Sequence, residues 1–256
     1  MDFKSALIAS DRPLLGSFIG IPSPPLIEML GRAGYDFIIL DTEHGAFNPE
    51  SMEECLRAAT AANVPGIVRV ADLEARLIQS GLDLGADGIQ VPGVESSSQA
   101  AEVVQFSNFP PVGKRGYGST TRAAAYGFRP RPQVIDLAQR ELVTIIQIES
   151  KAGAENLPDI LETSGIDVIF IGTSDLSLDY GYESPNDPAM LPLVEKLISA
   201  IASAGKIAGI HISNWSKIDY LQQLGVKYFT VSAPLVIKDA FTGQVEDFAS
   251  RVKRGR

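Results

Sequence analysis

Short apolar runs alternate along this chain with longer segments in which apolar residues recur every three or four positions. Eight of the runs predict buried strands: Leu14 to Phe18, Asp36 to Leu40, Gly66 to Val70, Gly88 to Val91, Val143 to Ile148, Asp167 to Ile171, Ile207 to Ile212 and Tyr228 to Val231. They are continuously apolar, as strands covered on both faces are. Between them, patterns such as Leu26-Ile27, Leu30 and Ala33, or Leu193-Val194, Leu197-Ile198 and Ile201, predict helices with one apolar face. Glycine closes several of these, at Gly34, Gly85, Gly205 and Gly225, just ahead of the next strand. Eight such units predict an α/β fold of the (β/α)8 or TIM-barrel type, a single domain over residues 1–256. A doubly wound open sheet would carry a Gly-rich phosphate turn after its first strand. Here Gly20-Ile-Pro-Ser-Pro-Pro25 follows instead, a pattern suited to helix entry.

Composition narrows the class without naming a chemistry. Hydrophobic residues at 45% and charged residues at 21% are ordinary for a soluble globular chain, and no apolar run reaches the roughly 18 to 20 residues that cross a bilayer. No membrane partner is expected. The first ten residues lack the charged-then-apolar pattern of a signal peptide, so a cytoplasmic protein is expected. The single Cys55, inside the helical pattern from Glu50 to Ala62, agrees, and reads as a buried inert thiol. A net charge of −9 speaks against nucleic acid, which needs an excess of Lys and Arg.

Candidate chemistry collects where strands end, the place a barrel puts its catalytic groups. The second strand runs out into Asp41, Glu43, His44 and Gly45; the third ends at Arg69; the fifth at Gln147 and Glu149; the sixth at Gly172-Thr-Ser-Asp175. Glu149 and Asp175, on adjacent strands, are placed to hold a hard divalent cation through oxygen, with positions left for water and substrate. That favours Mg²⁺ or Mn²⁺, with Co²⁺ a further option, over a closed zinc site, for which one Cys and two His are too few. Simpler roles compete: Asp41 and Asp175 as helix caps, and His211, near the end of the seventh strand, as a core histidine rather than a lining one. The loops after strands seven and eight lack the glycines of a phosphate site, and Lys151 is the only lysine at a strand's carboxyl end, so neither a phosphorylated substrate nor a Schiff base is favoured.

One connection stands out for length. Between the fourth and fifth strands, Phe109 to Arg131 is rich in Gly and Pro and carries Lys114, Arg115, Arg122, Arg129 and Arg131. It reads as a binding loop for an anionic ligand, or as a contact with an acidic neighbouring subunit. If it lines the site, small substrates bearing a carboxylate are favoured.

Five separated motifs resemble the HpcH/HpaI aldolases, metal-dependent pyruvate aldolases related to citrate lyase β-subunits. They are Leu40-Asp-Thr-Glu-His-Gly45, Gln90-Val-Pro-Gly-Val-Glu-Ser96, Gly113-Lys-Arg-Gly-Tyr-Gly118, Gln147-Ile-Glu149 and Ile171-Gly-Thr-Ser-Asp-Leu-Ser177. The likeness runs from about Leu14 to Phe248. It implies reversible cleavage of a 4-hydroxy-2-oxo acid into pyruvate, or a close 2-oxo acid, and an aldehyde. It also implies Glu149 and Asp175 as metal ligands, His44 as acid/base, Arg69 on the enolate oxygen and Asp83 as the partner of the histidine. Gln147 and Ser174 match substrate contacts, Gly172 belongs to the turn expected to hold the substrate carboxylate, and Phe18 stands at the aldehyde side. The resemblance further implies a homo-hexamer, a trimer of dimers that exchange the apolar last helix. Thr173, where many relatives have Pro, Phe47, and Phe18, where several have Trp, depart from the pattern and bear on aldehyde preference. A CoA-thioester lyase, which would use the basic loop for the CoA phosphates, and a catalytically silent binding barrel are the alternatives.

Overall fold

The computed structural model describes residues 2–252. Eight parallel strands close into a barrel in chain order: β1 Leu14–Ile19, β2 Phe37–Asp41, β3 Gly66–Arg69, β4 Gly88–Val91, β5 Val143–Ile148, β6 Val168–Ile171, β7 Ile207–His211 and β8 Val226–Ser232. Each matches a run read from the sequence, with ends differing by at most two residues.

Period-two alternation divides each strand between two cores. Ile38, Leu40, Val68, Ile89, Ile146 and Ile169 join the layer under the surrounding helices, while Phe37, Ile39, Ile67, Ile145, Phe170 and Tyr228 fill the barrel itself. Inside, Phe37 stacks on Tyr228 with ring centroids 4.2 Å apart. Gly16 makes the room: a Cβ there would lie 2.0 Å from the Phe37 ring. The helix Phe3–Ala9, which the sequence reading did not foresee, brings Phe3 and Leu7 into the interior cluster, and Asp2 caps it by accepting the Ser5 N–H at 2.8 Å. The lower barrel is thus filled mainly by apolar and aromatic side chains, and the buried polar side chains Gln90, Gln147 and Thr230 stand nearer the strands' carboxyl ends.

The long basic connection lies at the other end from the strands' carboxyl termini, against expectation. It follows the helix Ser97–Ser107, which has already carried the chain back past β4 to the amino-terminal rim. There Arg122 donates to Leu84 O at 2.9 Å and Thr60 Oγ1 at 2.7 Å, closing off the ends of two neighbouring helices. Arg115 pairs with Asp83 at 2.9 Å, Arg129 donates to Ala123 O at 3.1 Å, and Arg131 lies 5.4 Å over the Tyr117 ring. These arginines fasten the loop and do not rim the mouth.

The last helix, Ala233–Arg251, leaves its own barrel after the first turns: every residue from Lys238 to Val252 is exposed, Phe241, Val245 and Phe248 by 64 to 70%. Among the described residues no helix is long and apolar enough to cross a membrane.

Candidate active site

The site starts from the turn that ends β2. Asp41 is buried, and its Oδ1 accepts the N–H groups of Glu43 at 3.2 Å and His44 at 3.1 Å, folding the turn back on the strand end. Gly45 is required by that fold, since a Cβ would lie 2.1 Å from Asp41 O. Asn48 then stops the loop: it and Ser51 form a reciprocal capping box, with Pro49 opening the next helix.

Asp41 also grips Arg69, which reaches across from β3, through Nε–Oδ1 at 3.0 Å and Nη2–Oδ2 at 2.6 Å. Arg69 Nη1 stands 2.8 Å from Glu43 Oε2, an ion-pair contact whose angle leaves that buried oxygen without an aligned hydrogen bond. The guanidinium carbon lies 4.9 Å over the Phe18 ring, a cation–π contact. Three anchors therefore fix Arg69 while leaving N–H groups on both terminal nitrogens for a ligand. Burial pushes the Glu43 carboxyl up against the opposing pull of Arg69, and the Glu149 charge adds to the rise. His44 is exposed, with Glu43 Oε1 3.8 Å from its Nε2.

On the other wall, Glu149 Oε1 accepts the Gly93 N–H at 2.7 Å and Oε2 accepts the Gln147 amide at 2.5 Å, while Gln90 donates to Gln147 Oε1. Gln147, expected to contact substrate, lines the mouth and also braces Glu149 through its amide. Gly172 lets Glu149 stand beside the next helix, because a Cβ would come within 2.6 Å of Oε2. Burial pushes the Glu149 carboxyl up; the Gly93 and Gln147 hydrogen bonds oppose this, and the charge of Asp175 raises it further. A half-buried carboxylate beside a second one is the environment a divalent cation relieves. Among the described residues no group of three or more His, Cys, Asp or Glu is gathered for a metal, so the protein offers two carboxylates and leaves other positions to water and substrate, a donor set that fits Mg²⁺ or Mn²⁺.

Phe18, Asp41, His44, Arg69, Gln147, Glu149, Gly172, Ser174, Asp175 and His211 line one mouth of about 240 Å³. The expected residues thus come together, with one exception. Asp83 ends the helix Ala75–Asp83 at the amino-terminal rim, bonded to Arg115 at 2.9 Å and Gln79 at 3.3 Å, and within one chain it does not partner His44. The helix reverses the chain, so a residue at its far end cannot return to the mouth. Asp41 as the clamp of Arg69 and Gln90 as the support of Gln147 were not assigned from sequence. Strand alternation marks both as inward and both lie in motifs quoted above, but neither signal names a partner. His211 lines the mouth; burial pushes its imidazole down, and Arg69 acts in the same direction. Cys55 is buried, which pushes its thiol up, as an inert core residue.

A parallel barrel whose strand ends set a carboxylate pair and a fixed arginine around one opening defines an enzyme of the barrel lyase class. The HpcH/HpaI aldolase/citrate lyase family matches residues 14–225. The chain is 34% identical over 235 residues to a 4-hydroxy-2-oxo-heptane-1,7-dioate aldolase of Shigella sonnei, covering 91% of this chain and 86% of that one. It is 33% identical over 236 residues to a hydroxypyruvate/pyruvate aldolase of Roseovarius nubinhibens, covering 92% and 91%. Among solved structures, an HpcH/HpaI aldolase/citrate lyase family protein from Burkholderia cenocepacia superposes with a TM-score of 0.89 at 30% identity, over 96% of this chain and 98% of that one. This chain belongs to the HpcH/HpaI aldolase/citrate lyase family. It is a carbon–carbon lyase, a class II aldolase.

Proposed function

We propose that the enzyme reversibly cleaves a 4-hydroxy-2-oxo acid into pyruvate, or a close 2-oxo acid, and an aldehyde. The observation that carries this is Arg69, held rigid by Asp41 and Glu43 in the same mouth as Glu149 and Asp175. Cleavage next to a ketone places negative charge on the ketone oxygen, and a preorganised donor aimed there lowers the barrier. Glu149 and Asp175 would hold Mg²⁺ or Mn²⁺, which when bound supplies positive charge beside the oxygens of the 2-oxo acid. Arg69 presents its remaining N–H groups to the oxygen that gains charge. His44, an imidazole at the edge of the mouth, takes the proton from the 4-hydroxyl and returns it in the aldol direction. The helix Thr173–Asp179 has no side-chain cap, so the N–H groups of its first turn, Ser174 among them, are open to the substrate carboxylate. Phe18 closes the apolar side.

Support for exchange of the last helix comes from its exposed apolar side chains, which a second copy would cover. A cytoplasmic homo-hexamer is the assembly we propose. The CoA-thioester lyase alternative needs the basic loop for its phosphates, and that loop's arginines hold the opposite rim. Purified enzyme tested with pyruvate and a panel of aldehydes, with and without Mg²⁺ or Mn²⁺, checks the reading. Aldol product only with metal is expected, and no product with any aldehyde refutes it.

A further inference from the structure

Both oxygens of Glu149 are held from β4, a strand with no residue among the described ones that line the mouth. Oε1 accepts the N–H of Gly93, just past the end of β4, at 2.7 Å. Oε2 accepts the Gln147 amide at 2.5 Å, and Gln147 Oε1 in turn accepts the amide of Gln90, on β4 itself. Strand register makes the relay possible: Gln90 lies beside Ile145 of β5, and Gln147 is the next β5 residue on the same, inward face.

The relay has one direction. An amide has N–H groups at one end and a carbonyl oxygen at the other, whereas an ionised carboxylate only accepts. Glu149 therefore draws the Nε2 end of Gln147 to itself, which leaves Gln147 Oε1 facing Gln90, and Gln90 has to present its own Nε2. Turned end for end, Gln90 would set its carbonyl oxygen against the Gln147 carbonyl oxygen, acceptor against acceptor. Gln90 shows the demand made on it: it is fully buried, and its Oε1 has no hydrogen-bond partner. A buried amide with its donor engaged and its acceptor unsatisfied takes its orientation from the neighbour it donates to.

We infer that Gln90 is a positioning residue for the metal: by fixing which end of the Gln147 amide faces Glu149, it holds that carboxylate in the orientation that presents it to the cation shared with Asp175. The inference rests on the reading of Glu149 and Asp175 as the metal ligands. Gln90 touches neither cation nor substrate and acts only through Gln147. With Gln90 gone, the Gln147 amide loses the donor that opposes its turning, and a turned Gln147 would point its carbonyl oxygen at a carboxylate oxygen. Groups standing behind a metal ligand in this way fix its orientation and tune its affinity.

The test uses Mn²⁺ as the probe, titrated into the enzyme with the free ion followed by electron paramagnetic resonance. Gln90→Met keeps the length of the side chain and removes its donor. Its Kd for Mn²⁺ should rise about 10- to 100-fold, and kcat at saturating Mn²⁺ should return toward the wild-type value, so that the loss sits in metal affinity. Gln147→Met should weaken binding at least as much, and Gln90→Met added to it should do nothing more, because the relay is already broken. Gln90→Asn, one methylene short of reaching Gln147, is the second variant should the first fail to fold, and it should show the same loss. An unchanged Kd in a folded Gln90 variant would overturn the inference and leave the metal reading standing. Losses that multiply independently in the double variant would do likewise, since they mark a packing effect. No Mn²⁺ binding by wild type, or binding indifferent to Glu149→Gln, would sink the inference and the proposed function together. A non-additive loss of Mn²⁺ affinity in an enzyme that forms no aldol product would support the part given to Gln90 and refute the proposed function alone.

Discussion

Asp41 holds Arg69 by two parallel hydrogen bonds while the same carboxylate oxygen that accepts Arg69 Nε also accepts the backbone N–H of His44. One buried side chain therefore sets both Arg69, proposed to stabilise the developing charge, and the start of the turn bearing His44, the proposed acid/base. Asp41→Asn keeps the size and removes the charge. It should lower kcat/KM for aldol cleavage by roughly a hundredfold, the usual cost of an ångström-scale misplacement, with an unchanged circular dichroism spectrum. Wild-type kinetics in this variant would mean that Phe18 and Glu43 suffice as anchors.

Arg69 and His44 should separate by assay. Arg69→Ala should lose both aldol cleavage and exchange of the pyruvate methyl protons with deuterium, because the oxygen it faces gains charge in both reactions. His44→Ala should lose roughly two to four orders of magnitude in cleavage, the range of a general base. Near-normal cleavage by His44→Ala would move the base to Glu43, whose carboxyl burial already pushes up.

Metal removal is the third test. In the proposed mechanism the enolate charge is met by Arg69 together with the cation that Glu149 and Asp175 would hold. Chelation should abolish activity and Mg²⁺ or Mn²⁺ restore it, while Glu149→Gln should weaken metal binding in direct titration. Borohydride trapping of a pyruvate adduct would sink the mechanism.

Assembly can be measured by light scattering at micromolar concentration, where a hexamer is expected. Phe241→Asp with Phe248→Asp, two exposed positions on the last helix, should reduce it to smaller species. A wild-type monomer would refute the exchange.

A pH-dependent contribution to stability sits at the amino-terminal rim. Burial opposes ionisation of Asp36, yet hydrogen bonds from Arg12 and from Leu15 N–H outweigh it and hold the carboxyl below its ordinary value. A depressed carboxylate stabilises the fold above its unfolded pKa of about 3.9, and the contribution is lost as pH falls through the folded value. Asp36→Asn should thus lower Tm at pH 7, and the gap to wild type should narrow as pH approaches 3.

The sequence alone determined the barrel, the strand positions and the stations of His44, Arg69, Glu149 and Asp175, because each depends on local pattern: apolar runs, a period of two, and polar residues where a parallel strand ends. Family motifs added the reaction. Partners across the fold were decided only by tertiary structure. Gln147 and Gln90 are 57 positions apart and Asp83 and Arg115 are 32 apart, so neither pairing has a periodicity to reveal it. The basic loop was legible as a loop, but its end of the barrel was fixed by one helix, Ser97–Ser107, which turned the chain around before the arginines arrived. A like reversal, along the helix Ala75–Asp83, carried Asp83 away from the mouth of its own chain. Charge content is local, whereas which surface a charge faces depends on how many times the chain has crossed the fold.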